Sequence, residues 1–251
     1  MKRTLVFLYG TISYLIGLGA LIYWFGFMGN LSFLPKTIDS GLPGPMAESL
    51  LINIALIVLF GVQHAVMARK GFKKAITKII PAAAERSTFI LMTGIVLSLI
   101  LWQWRPIPIT VWTIQNEIAQ VFVFSLSWIG WGLIVFSSFL INHFELFGLQ
   151  QIWFNLVKKP IPQISFKMPL LYKLVRHPIM LGVLIGIWSI PHMTIGHLVF
   201  ALTMTIYIVI GVKMEERDLI ANHGESYIKY KEKVPALLPS FRTKQLEKVV
   251  S

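Results

Sequence analysis

Five short polar segments at the ends of apolar runs carry groups that could do acid–base or ion-pairing chemistry: Gln63-His64, Glu85-Arg86, His143 with Glu145, Arg176-His177 and Glu215-Glu216. A histidine beside a carboxylate can work as a base, because its reference pKa of roughly 6.5 lies near working pH and the acid can orient the ring. The run NHFELFG sets His143 and Glu145 in that relation, and His64 is the second candidate base. The plain alternative for each group is a helix cap or an interfacial salt bridge. What weighs against it is convergence, and that depends on the elements that hold these residues.

Those elements are read from apolar runs. Hydrophobic residues make up 55% of the chain and charged ones 14%, with a mean hydropathy of +0.69, against about a quarter charged in soluble domains. The reading is an all-α integral membrane bundle of five to six hydrophobic helices, forming one domain over 1–251. Runs from about Leu5 to Gly29, Glu48 to Ala68, Ser87 to Trp104 and Ala119 to Ile141 each approach the ~20 residues that cross a bilayer, so 1–141 holds four spans. The stretch around Trp112 reads as amphipathic, 142–177 as a long loop, 178–212 as a helical hairpin and 213–251 as an amphipathic tail. Pro178 suits a first helical position, where its missing donor costs nothing. Gly182 and Gly186 are expected to let the second hairpin helix approach through Ala201 and Thr205.

Placing the N-terminus in the cytoplasm puts every one of the 23 lysines and arginines on that side except Lys36 and Arg105. Positive charge concentrates on cytoplasmic loops, so both termini are expected there. All five polar segments then lie at the cytoplasmic boundary. Ionisable groups at that depth are costly unless they pair or line a wet cavity, which makes the convergence a site hypothesis. His192 and His197 fall at the opposite turn and are assigned to capping and packing.

Other chemistries lack support. The absence of cysteine excludes disulfides, thiolate metal sites, iron–sulfur clusters and a cysteine nucleophile. None of the six histidines sits in mid-span where haem ligands would project, and none pairs at zinc-binding helical spacing, so no metal is expected. No Gly-rich phosphate loop or dinucleotide fingerprint is present. The +12 formal charge is distributed over loops beside spans, which argues for membrane orientation and against nucleic acid.

RHPIMLG, the hairpin that follows, the Glu215-Glu216 pair and HGESYIKYKEKVPALLP together resemble the membrane methyltransferases of the isoprenylcysteine carboxyl methyltransferase and phospholipid methyltransferase superfamily. GVQHAVMARKGFKKAITKIIPAAAERS, LWQWRPIP and NHFELFGLQQIW look like the bacterial methanethiol S-methyltransferases over nearly the whole length. The resemblance implies S-adenosylmethionine as methyl donor and methanethiol, a small volatile thiol, as acceptor, giving dimethyl sulfide. It implies a cofactor site of Tyr172, Arg176, His177, Pro178, Gly182, Glu215 or Glu216, Tyr227 and Tyr230, with arginine on the methionine carboxylate, a glutamate on ribose or amino groups and an aromatic on adenine. Met180 stands where the wider superfamily often has tyrosine, so no hydroxyl role is carried over. A thiol is mostly protonated near neutrality. His143 assisted by Glu145, or His64, is therefore expected to act as base, with Trp102, Trp104 and Phe144 as pocket walls or as interfacial belt. The alternatives are a related methyltransferase of a prenylated thiol, carboxylate or lipid amine, and a non-enzymatic haem-binding or transport protein.

Overall fold

A computed structural model describes residues 2–162 and 168–239. The helices are α1 (Arg3–Met28), α2 (Met46–Ala68), α3 (Lys70–Ile76), α4 (Glu85–Gln103), α5 (Glu117–Ile141), α6 (His143–Leu146), α7 (Leu149–Leu156), α8 (Pro178–Trp188), α9 (Ile195–His223) and α10 (Glu225–Lys233). Two short strands, β1 (Thr110–Thr113) and β2 (His192–Thr194), join them. Helices α1, α2, α4, α5 and α9 are long and apolar enough to cross a membrane, and α8 is a shorter apolar helix. The result is a multi-pass membrane bundle.

Local chemistry sets the boundaries. Asn116 caps α5 by accepting from the Ala119 N–H at 2.9 Å, and Thr194 caps α9 by accepting from the His197 N–H at 3.1 Å, each satisfying a donor the helix leaves open. Pro178 opens α8 as its first residue. Two loop segments are more ordered than composition suggests: 142–177 contains α6 and α7, and α9 runs unbroken through residue 213 to His223, where Gly224 at φ +56° ends it. The charged residues of 213–223 keep helical order because they continue a helix already formed, where each added hydrogen bond orders only one residue.

Helix α5 packs on α8, α1 on α4 and α7, and α2 on α4 and α9. Glycines set the closest approaches. A Cβ on Gly94 would meet the Gly17 Cα at 2.9 Å, and one on Gly182 would meet the Gly130 carbonyl oxygen at 2.6 Å. Gly182 and Gly186 therefore face α5, through Gly130, Trp131 and Ile134, and not the Ala201–Thr205 stripe of α9. Against α9 the contact of α8 runs through a large side chain, with the Trp188 indole N–H donating to Thr205 at 2.9 Å, and a small-residue seam has no place there. The core between the helices is aromatic: Phe25 stacks on Trp131 at 4.9 Å, and Trp24 lies against both Trp131 and Phe200. Leu15, Leu51, Ile118, Ile129 and Ile206 line the outside of the bundle as exposed apolar residues, as lipid-facing positions do.

With eleven residues, α8 rises only about 16 Å, roughly half the hydrocarbon core. Its last carbonyls would be orphaned in an apolar medium, which costs several kcal/mol each. Neighbours supply partners: the buried Ser127 hydroxyl donates to the Gly186 carbonyl at 2.7 Å, and His197 Nε2 donates to that of Ile187 at 2.9 Å. His197 thus caps, as expected from its position. Beyond α8 the chain is extended, and β2 pairs antiparallel with β1, with Thr113 opposite His192 and an irregularity between Thr110 and Trp112. The Trp112 stretch is strand where an amphipathic segment was expected, because its donors and acceptors find a partner in the α8–α9 turn. Lys36 and Arg105 lie at this ribbon end, with Lys36 donating to the Trp102 carbonyl.

Candidate active site at the charged end of the bundle

Opposite the ribbon, the first residues of α8 meet the last turns of α9. Arg176 donates from Nε at 2.7 Å and from Nη2 at 2.5 Å to one oxygen of Glu216, with both side chains less than a tenth exposed. Its Nη1 donates to the Lys231 carbonyl at 3.0 Å and to that of Val234. His177 faces Glu216 at 3.3 Å through Nε2 and Glu215 at 3.5 Å through Nδ1, while the Lys231 ammonium holds the other Glu216 oxygen at 2.8 Å. Two backbone bonds, Arg176 N–H to Pro235 O at 2.9 Å and His177 N–H to Ala236 O at 3.1 Å, fasten the chain after α10 across the start of α8. The guanidinium expected to receive a ligand carboxylate is engaged by the protein itself, and Lys231 is the exposed cation of the cluster.

The adjacent glutamates point apart, as the 100° step of a helix requires. Glu216 is buried in ion pairs, whereas Glu215 is about half exposed and acts electrostatically on His64, Tyr172 and Tyr207. Tyr227 and Tyr230 pack with Val234, Met168, Leu219 and Ile220, and the Tyr230 hydroxyl donates to the Tyr172 carbonyl at 2.5 Å. Burial, with Glu216 as a further cause, pushes the Tyr227 phenol up to about 12. Both rings are buried and build the floor of the site. Tyr172 is half-buried, and burial followed by the Glu215 charge raises its phenol. Gly182 and Pro178 are buried against α5 and the start of the helix, so they shape the site through backbone.

The predicted bases lie apart from one another. His143 is buried, stacked on Phe139 at 4.3 Å and tilted against Phe147 at 4.5 Å. The Ser138 hydroxyl donates to the Val135 carbonyl at 2.7 Å, so its oxygen receives the His143 Nδ1–H at 2.9 Å. Nε2 is left to accept from the Tyr14 hydroxyl at 3.0 Å. Ser138 and Tyr14, not Glu145, therefore orient this ring. Burial lowers the His143 pKa below its usual 6.5 and keeps it neutral. Burial raises that of Glu145, with Arg86 pulling it back.

His64 contacts Thr93 at 3.4 Å through Nδ1 and packs between Phe60, Phe89 and Tyr207. It lies within electrostatic reach of both Arg86 and Glu215, so it connects the α4 end to the Arg176–Glu216 cluster. Trp102 is 71% exposed and Trp104 1%, both at the ribbon end, far from this chemistry, as belt and core residues. Phe144 lines a mostly apolar lateral cleft with Phe7, Trp153 and Phe154. Tyr14, Ser138, Thr93 and Tyr207 were not singled out from sequence; Tyr14 and Tyr207 are polar groups inside apolar spans, and that was the available signal. Among the described residues no group of three histidines or carboxylates could hold a metal ion.

A helical membrane bundle with a buried cluster of ionisable groups at one end defines a class, that of polytopic membrane proteins with an interfacial polar site. The model of the family described as NnrU protein matches residues 52–240. The chain is 44% identical to a methanethiol S-methyltransferase of Mycobacterium tuberculosis over 95% of its own length and 98% of that protein. It is 48% identical to one of Pseudomonas deceptionensis over 94% and 89%. More distantly, it is 26% identical to Nurim of Bos taurus over 82% and 86%. The chain belongs to the NnrU family. No solved structure matches it.

Proposed function

We propose that this chain is an S-adenosylmethionine-dependent methyltransferase of methanethiol, acting as one membrane domain at the cytoplasmic face of a bacterial inner membrane. The observation that carries the reading is identity of 44% and 48% across nearly the full length of relatives bearing that name. The charge distribution supports the orientation: among the described residues, Lys36 and Arg105 are the basic residues that belong to the ribbon end.

The residues at the start of α8 suit a ligand with a carboxylate, an ammonium, hydroxyls and a sulfonium. Lys231, 45% exposed, is placed for the carboxylate. Glu215 is placed for ribose hydroxyls or the ammonium, and its charge suits a cation. Tyr172 offers a ring face for the base. Arg176, His177 and Glu216 order these groups, while Tyr227, Tyr230, Pro178 and Gly182 form the walls. When bound, the cofactor supplies an electrophilic methyl group for in-line displacement. The protein contributes alignment, exclusion of water and removal of the thiol proton, for which His64 and the Tyr14–His143 pair, near Glu145, are the two candidates. Of these, His64 is the one within electrostatic reach of Glu215.

The test is purified protein with labelled S-adenosylmethionine and methanethiol, with dimethyl sulfide measured in the headspace. Labelled dimethyl sulfide is the expected product. Methylation of a lipid amine, a prenylated thiol or a carboxylate in its place would overturn the substrate. Loss of turnover in His64→Ala but not in His143→Ala, with cofactor binding intact in both, would assign the base to His64, and the reverse would assign it to His143.

A further inference from the structure

We propose that Arg86 is the anion-holding group of the acceptor site and that it binds the substrate as a thiolate; this rests on the reading of the chain as a small-thiol methyltransferase. Arg86 lies at the first turn of α4, inside the charged end of the bundle. Its Nε donates to the Leu146 carbonyl at 2.6 Å, and its guanidinium carbon stands 4.9 Å from the Phe89 ring centre. The His64 ring lies 4.8 Å from that same phenylalanine ring. Arg86 thus joins the separated candidates: it interacts electrostatically with His64 on α2 and with Glu145 on α6, and it supports the α6 turn that carries His143.

The guanidinium has no direct ion pair. Among the described residues no carboxylate oxygen lies within 4.0 Å of it, whereas Arg69 and Arg176 each have such a partner. The charged groups facing it are Glu85 on its own helix, Lys73 on α3, His64 and Glu145. Glu85 is shared with Lys73 at 4.0 Å, and Glu145 stops short of a contact. The polar cleft between α3, α4 and α6 is lined by Lys73, Glu85, Arg86, Asn142, Glu145 and Gln151. A guanidinium held at a membrane boundary without a contacting anion is costly, and the cost falls when a small anion enters beside it.

A thiolate fits this requirement, and the proposed reaction needs one. The S–H bond of the thiol breaks and its proton passes to the unprotonated ring nitrogen of the neutral His64 imidazole. The thiolate sulfur forms a bond to the methyl carbon, the bond from that carbon to the sulfonium sulfur breaks, and the electron pair stays on the departing sulfur. The proton on His64 then returns to water. Arg86 and imidazole together make the thiolate at neutral pH, a task neither the solvent nor an apolar pocket performs.

The experiment uses the full chain in nanodiscs, with thiocyanate as the non-reacting anion. In wild type, thiocyanate is expected to compete with methanethiol, and labelled thiocyanate is expected to be retained in equilibrium dialysis with S-adenosylhomocysteine present. Arg86→Gln is expected to lose that retention, to lower turnover at neutral pH by ~100-fold, the scale of losing one preorganised charge-stabilising donor, and to move the break in the kcat/KM–pH profile upward. Arg86→Lys is expected to fall between the two. Retention and pH profile unchanged in both variants, with only thermal stability reduced, would make Arg86 a strut for α6 and overturn the proposal. If neither variant folds, noncompetitive inhibition of wild type by thiocyanate overturns it. Arg86-dependent retention without any dimethyl sulfide would uphold the anion site and reject the substrate reading, and dimethyl sulfide formation with identical profiles would do the reverse.

Discussion

Nη2 of Arg176 lies 2.5 Å from Oε1 of Glu216 across forty positions of sequence, and this pair locks the start of α8 to the last turns of α9. His177 and Lys231 converge on the same carboxylate. Replacing it leaves a buried guanidinium without its anion, the kind of loss that costs about 3 kcal/mol or more. Glu216→Gln is expected to lower the unfolding midpoint in detergent by on the order of 10 °C. The half-exposed Glu215→Gln is expected to leave the midpoint nearly unchanged while weakening S-adenosylhomocysteine binding. Scanning fluorimetry and calorimetric titration of both variants check this, and equal midpoints would refute the buried-pair account.

The neutral state of His143 gives a pH dependence with a definite sign. Its folded pKa lies below the unfolded value of 6.5, so between the two the unfolded chain binds more protons. Stability is present above about pH 6.5 and is lost as pH falls through the folded pKa. His143→Gln is expected to flatten the acid limb of a midpoint-versus-pH curve, and Tyr14→Phe is expected to keep it. A limb of the same steepness in His143→Gln would assign the titration elsewhere.

Gly182 is where α5 and α8 touch through backbone. A methyl group there would stand 2.6 Å from the Gly130 carbonyl oxygen, so Gly182→Ala is expected to separate the helices and cost about 1–3 kcal/mol. Gly132→Ala, with nothing within 4 Å, is expected to be neutral or slightly stabilising through helix propensity. Thermal midpoints of the two variants compare these outcomes directly.

Asn53 is fully buried, and its side chain makes both bonds to one residue beyond α4, donating to the Arg105 carbonyl at 2.8 Å and accepting from the Arg105 N–H at 2.9 Å. Asn53→Ala leaves both backbone groups without their partner, at about 1–3 kcal/mol. Faster amide exchange at Arg105, with no change in cofactor binding at the far end, is the expected signature.

Much of this architecture could be read in the chain before any coordinates. Five spans follow from unbroken apolar runs, because satisfying backbone groups in lipid leaves few alternatives to a helix, and the charged residues at their ends foretold which groups would share a level. What stayed hidden depends on pairing between distant segments. Thr110–Thr113 and His192–Thr194 are too short to announce a strand until each supplies the other's hydrogen bonds. The partner of Gly182 is Gly130, about fifty residues earlier, and small residues on α9 were an equally good match on spacing alone. At the site, His143 and Glu145 are neighbours in sequence, yet the ring turns to Ser138 and Tyr14, since one turn of helix decides which way each side chain faces.

The ribbon of β1 and β2 has a mechanical consequence. Together with the buried Ser127 and His197 bonds to the end of α8, it fastens α5, α8 and α9 at one end by hydrogen bonds. At the other end the start of α8 is held to α9 and α10 by the ion pairs around Glu216. Helices α8 and α9 are thus tied by neutral hydrogen bonds at the ribbon end and by charge where Glu215 and Glu216 stand, so the second tie is the one that salt and a charged ligand can weaken.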